Sequence, residues 1–244
     1  MSATGSDANF VRDVGAANAT PTALIPTTIP AGATLTLFAI NTSDETTTLN
    51  SVTDPVNGSW TIVDTTNSAG STFRTYTAYK LNAGAASSSG DRTVTLTFSA
   101  AINSQFKVGW VSSDLGAMTY GGSATVLSTA SNNTNLDSNT VALSGAGCLV
   151  GGFGTNNAQT STPTMDGAGE SVLTPNSMPG SGTRSYMVFQ AVASAGTHGF
   201  EVTLAVSATC NFHVMSFLEP GGSTGRGRLV GGKLVGGNLL VRKL

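Results

Sequence analysis

The stretch Val94–Asn103, VTLTFSAAIN, reads against Val202–Asn211, VTLAVSATCN, with six of ten positions identical. In the first copy Val94, Leu96 and Phe98 share one face and threonines the other. That alternation is the pattern of a strand with one buried and one wet face.

The echo spreads in both directions. After two extra residues in the first copy, Phe106–Val108 (FKV) falls against Phe212–Val214 (FHV), and Cys210 falls against Ile102. Upstream, Tyr76–Gly84 (YTAYKLNAG) falls against Tyr186–Gly196 (YMVFQAVASAG), and Leu35–Asn41 (LTLFAIN) against Leu149–Asn156 (LVGGFGTN). A spacing of about 110 residues is too long for a solenoid or propeller repeat. It predicts two equivalent halves of one sandwich, about 30–111 and 143–218. Two interlocked halves of about four strands each are how a jelly roll is built.

The rest of the chain suits that architecture. Short β signals are separated by turn residues such as Pro30-Ala31-Gly32, Asn57-Gly58 and Pro179-Gly180. No stretch keeps a helical amphipathic period over a dozen residues. The expected organisation is an N-terminal arm at 1–24, an all-β jelly-roll sandwich of two antiparallel sheets at 25–219, and a tail at 220–244.

The tail ends GRGRLVGGKLVGGNLLVRKL. It carries five of the eleven Lys and Arg and no acid, so the remainder holds six basic against thirteen acidic groups, a net of −7. An acidic body does not bind nucleic acid through bulk electrostatics. Paired glycines every five residues cost a helix about 1 kcal/mol each, which disfavours a membrane-surface helix. What remains is a set of apolar strips on glycine joints, suited to adding strands to a sheet edge. The docking residues expected there are Arg226, Arg228, Leu229, Val230, Lys233, Leu234, Val235, Leu239, Leu240, Val241, Arg242 and Lys243.

Signals for chemistry are sparse. His213 aligns with Lys107 in a slot that looks outward, and His198 sits in a Gly-Thr-His-Gly turn; both read as surface imidazoles. The serine in Gly221–Gly225 matches a nucleophile elbow in letters only, because no strand-to-helix turn surrounds it. Asp137 with Asn135 and Asn139, and Asp44 with Glu45, offer thin oxygen sets that turn formation explains. Cys148 and Cys210 read as buried thiols, with a bridge as the alternative if their strands are neighbours. Trp60 opens a strand after Asn57-Gly58 and is the candidate for stacking on a sugar, whereas Trp110 reads as core. No catalytic residue, metal or cofactor is expected, and the chain reads as a non-enzyme.

The run IPAGATLTLFAIN, SVTDPVNGSWTIVDT, FRTYTAYKLNAGAA, TVTLTFSA and FKVGWVSSDLGAM resembles jelly-roll modules of tailed-phage virion proteins and of some bacterial surface proteins. The glycine, leucine and arginine tail is similar to the ends of phage structural proteins. The resemblance covers Ile29–Leu218 plus the tail. It implies a virion component of the capsid decoration or cement type, with the major capsid protein or other virion proteins as partners. It also implies a homo-oligomer, dimer or trimer, and no nucleic-acid or membrane partner. The absence of a leader in MSATGSDANF fits assembly in a host cytoplasm. The alternatives are a tail or fibre protein, or a surface carbohydrate-binding module.

Overall fold

The computed structural model describes residues 3–5, 9–12, 18–25, 27–41, 46–67, 74–155, 163–165, 170–172 and 184–221. They form β-strands joined by turns, with no helix among the described residues. The first ten strands are β1 (Ala3–Gly5), β2 (Asn9–Arg12), β3 (Thr22–Leu24), β4 (Ala33–Asn41), β5 (Leu49–Asp54), β6 (Gly58–Ser59), β7 (Thr61–Asn67), β8 (Arg74–Ala83), β9 (Thr93–Phe98) and β10 (Ser104–Ser113). The remaining eight are β11 (Thr119–Asp137), β12 (Val141–Leu143), β13 (Gly147–Thr155), β14 (Thr164–Met165), β15 (Glu170–Val172), β16 (Arg184–Val192), β17 (Gly196–His198) and β18 (Glu201–Leu218).

Every ladder is antiparallel. An inner sheet of the first half runs β10-β4-β8-β7, with β1 and β2 on the outer edge of β10. An outer sheet, β3-β9-β5-β6, lies over it. The second half repeats this order as β11-β18-β13-β16-β15, with β14 on the far part of β18. In the first half β9 and β10 are separate strands. In the second they merge into β18, which crosses from one layer to the next in a single run.

The registers of the two halves coincide. Lys107 faces Phe38, which faces Thr77; His213 faces Gly152, which faces Met187. One exception corrects the sequence alignment. Cys210 faces Thr155 as Ser104 faces Asn41, so Cys210 matches Ser104 rather than Ile102. The two extra residues of the first copy lie before Ile102, in the loop that β18 lacks.

Each half has a core of its own. Leu35, Leu37, Ala39, Tyr76, Ala78, Phe106 and Val108 of the first inner sheet meet Val52, Val94, Leu96 and Phe98 of its outer sheet. Leu149, Phe153, Tyr186, Val188 and Phe212 meet Leu136, Leu143, Val202 and Leu204 in the second. The expected all-β sandwich of antiparallel sheets is present; each half packs its own outer strands over its own inner sheet, and two layered units stack back to back. The stacking explains why β4 and β13 are buried at every residue. Alternate positions face the half's own core, and the others face the opposite half. A third cluster fills one end of this seam, with Val111, Met118, Cys148, Val150, Met187, Phe189, Met215 and Phe217 packed around Tyr79 and Tyr120.

Candidate functional site

The seam between the halves collects a cluster of buried polar side chains. Thr75, Thr77, Gln105, Lys107, Ser185, Asn211 and His213 are all buried. His213 Nε2 lies 2.5 Å from Thr75 Oγ1, and its Nδ1 lies 3.2 Å from Thr125 Oγ1. Asn211 Nδ2 donates to Thr75 Oγ1 at 3.3 Å. The His213 ring sits 5.9 Å from that of Phe38. Lys107 is fully buried, with Nζ 5.9 Å from the centre of the Tyr186 ring, and burial pushes its ammonium down to about 8. The outward slot predicted for Lys107 and His213 is thus corrected. It faces away from each half's own core, but the other half covers it. The alternation alone cannot register that second cover, because a face wet in an isolated sandwich has the same period as a face buried by a partner layer.

The imidazole bridges two threonine hydroxyls, one on β8 and one on β11. Among the described residues no group of three His, Cys, Asp or Glu could hold a metal ion. Asn135 and Asp137 are ladder residues facing Thr203 and Glu201, and Asn139 Nδ2 donates to the Thr125 carbonyl at 2.6 Å. Asp44 and Glu45 lie outside the described residues.

The sugar-stacking position is occupied by packing. Trp60 is only 6% exposed and belongs to the first core. Its indole N–H donates to Asp54 Oδ2 at 2.7 Å. The other oxygen of Asp54 accepts from the backbone N–H groups of Val56 and Asn57 and from Asn57 Nδ2 at 2.8–3.0 Å. The carboxylate closes the turn that Gly58, at φ +66°, allows, and the turn delivers the indole inward. The ring face needed for a sugar is covered. Trp110 is partly buried against the same core, with its N–H donating to Thr27 Oγ1.

Both cysteines are free and buried. They sit on opposite faces of the second inner sheet, Cys148 in the seam and Cys210 in that half's own core.

The remaining features suited to contact are strand edges and termini. On the outer edge of β10, β1 pairs Val111–Ser113 and β2 pairs Gln105–Val108. The equivalent edge of β18 carries β11, a single strand of 19 residues. The docking residues expected in the tail, from Arg226 to Lys243, lie outside the described residues.

No family model, curated protein or solved structure matches this chain.

Proposed function

We propose that this chain is a non-enzymatic structural component of a tailed-phage particle, of the kind that decorates and strengthens the capsid exterior through its terminal segments. The observation that carries this reading is where the polar chemistry lies. Histidine, lysine and threonine groups that could serve a reaction are spent joining two stacked β units into one body. Such a body suits bearing load and holding its termini apart from a core. The resemblance of Ile29–Leu218 and of the tail to virion proteins supplies the setting. The charge division supplies a means of contact, a body of net −7 with a tail of +5. The major capsid protein is the partner in this reading, and copies of the chain would stand together around symmetry axes.

Deleting Gly222–Leu244 and measuring occupancy on capsids tests it. Occupancy should fall at least tenfold, and undiminished binding would overturn the docking role of the tail. The carbohydrate-module alternative loses its anchor with the burial of Trp60.

A further inference from the structure

Two pairs of equivalent residues touch across the seam. Phe38 lies against Gly152, and Ser113 Oγ donates to Glu219 Oε1 at 2.9 Å. Two units that meet through the same patch on each are related by a two-fold axis passing through that patch. The halves are therefore related by a pseudo-dyad that runs through both pairs. The second pair marks where each half ends, so the two chain exits lie side by side; a Cβ on Gly116, just after β10, would stand 3.8 Å from Pro220, just after β18.

From the first exit the chain turns and becomes β11, which adds to the outer edge of β18. The pseudo-dyad maps that path onto one that starts at Gly221 and runs to the outer edge of β10. We infer that the edge of β10 is a strand-acceptor site for the segment that follows Gly221 in the same chain, in competition with β1 and β2. By the same mapping Thr119–Asp137 corresponds to residues 225–243, the basic, apolar-stripped part of the tail. The present occupants cover the edge in two short pieces of three and four residues, and Gly109 and Trp110 fall in neither ladder. β11 shows that such an edge tolerates an interrupted strand, because its register shifts at Tyr120/Gly122, Ser128/Asn133 and Asn133/Asn135. A tail with glycine pairs every five residues needs that tolerance.

The exchange has a physical motive. Leu229-Val230, Leu234-Val235 and Leu239–Val241 in water are a hazard for aggregation. Docked on β10 they gain backbone hydrogen bonds and release the N-terminal strands. With β1 and β2 on the edge, the tail is the segment left for a partner. The edge thus holds one terminus and frees the other. This inference does not rest on the particle being a phage capsid.

The test is amide hydrogen exchange on the full chain, on a variant lacking residues 1–17 and on one lacking both 1–17 and 222–244. Without 1–17, β10 should keep its protection and the tail amides should slow at least tenfold. Without both segments, the outward amides of β10 should lose protection. Tail amides that keep random-coil rates in the variant lacking 1–17 would overturn the inference, as would β10 protection unchanged by the double removal. Should the shortened chains fail to fold, a synthetic peptide of residues 225–243 is added in excess to the full chain. Faster exchange across Ala3–Arg12 supports the competition, and no change refutes it.

Discussion

Phe38 fills the space that Gly152 leaves empty at the equivalent position of the other half. A Cβ built on Gly152 would stand 2.3 Å from Phe38 Cγ and 2.6 Å from its Cβ. On a two-fold axis two large side chains cannot occupy the same point, so the two copies have diverged into a ring and a hole. The divergence also sets pairing, since two first halves would clash at Phe38 and two second halves would leave a void.

Gly152→Ala should therefore destabilise the fold by about 2 kcal/mol, the scale of overpacking in a closed core. Phe38→Ala should cost about 3–5 kcal/mol through the cavity it opens. The double variant should cost less than the sum, because each change relieves the other. Guanidinium unfolding of the three variants measures the coupling, and strict additivity would remove Phe38 from contact with Gly152.

Lys107 supplies a pH dependence whose sign is fixed by burial. Its folded value of about 8 lies below the 10.5 of the free side chain. Between those values the unfolded chain binds the extra proton, so stability rises with pH from about 8 to about 10.5 and is flat below that window. Lys107→Met keeps the volume and removes the desolvated charge. It should raise stability at pH 7 by on the order of 2 kcal/mol, less than the full shift of about 3 kcal/mol because the Tyr186 contact is lost. Denaturation midpoints at pH 7 and pH 10 for both proteins check it. The variant's gain should shrink at the higher pH.

The alternation in Val94–Phe98 fixed strand type and inward face correctly, because one side of β9 is wet and a wet face leaves a period of two. The β4 stretch Thr34–Ile40 is covered on both sides, and there threonines and a phenylalanine share the seam face while leucines take the core face. Nothing in that order says that a second layer exists. The same gap hid the fate of His213 and Lys107. Gly152 is the available signal, since a glycine mid-strand marks close approach by another element. A Cβ on Gly151, by contrast, would meet its own half's core, within 2.9 Å of Phe212, Val188 and Phe200. The depth of Trp60 is hidden for a different reason: it depends on Asp54, six residues back, which only the folded turn brings onto the indole.

The two thiols should be inert in the native state. Burial, aided by the Glu219 carboxylate, pushes the Cys148 thiol far above its ordinary range, and burial pushes that of Cys210 up to about 12. Reaction with a disulfide reagent needs the thiolate and access, and both are withheld. At pH 8 the folded protein should release less than about a tenth of the colour that it gives in 6 M guanidinium, conditions of full exposure. Rapid labelling of either cysteine in native buffer would show that its sheet opens.

Asp54 joins one turn to one core residue, so removing its carboxylate should be felt in both. It accepts four hydrogen bonds, three from the Val56–Asn57 segment and one from the Trp60 indole. Asn57 in turn accepts from the backbone N–H of Gly84 at 2.7 Å, tying this turn to the end of β8. Asp54→Ala leaves a buried indole N–H and two turn amides without an acceptor. Bonds to a charged group contribute about 1.5–3 kcal/mol each and are not additive, so a total loss of about 3 kcal/mol is expected. Asp54→Asn keeps one acceptor oxygen and should cost about half as much. Trp60 fluorescence distinguishes the mechanism from a general loss of stability. In Asp54→Ala the native-state emission should shift to the red as water reaches the indole, before any unfolding transition. An unshifted native spectrum with a lowered midpoint would mean that Asp54 serves the turn alone and that Trp60 is held by packing.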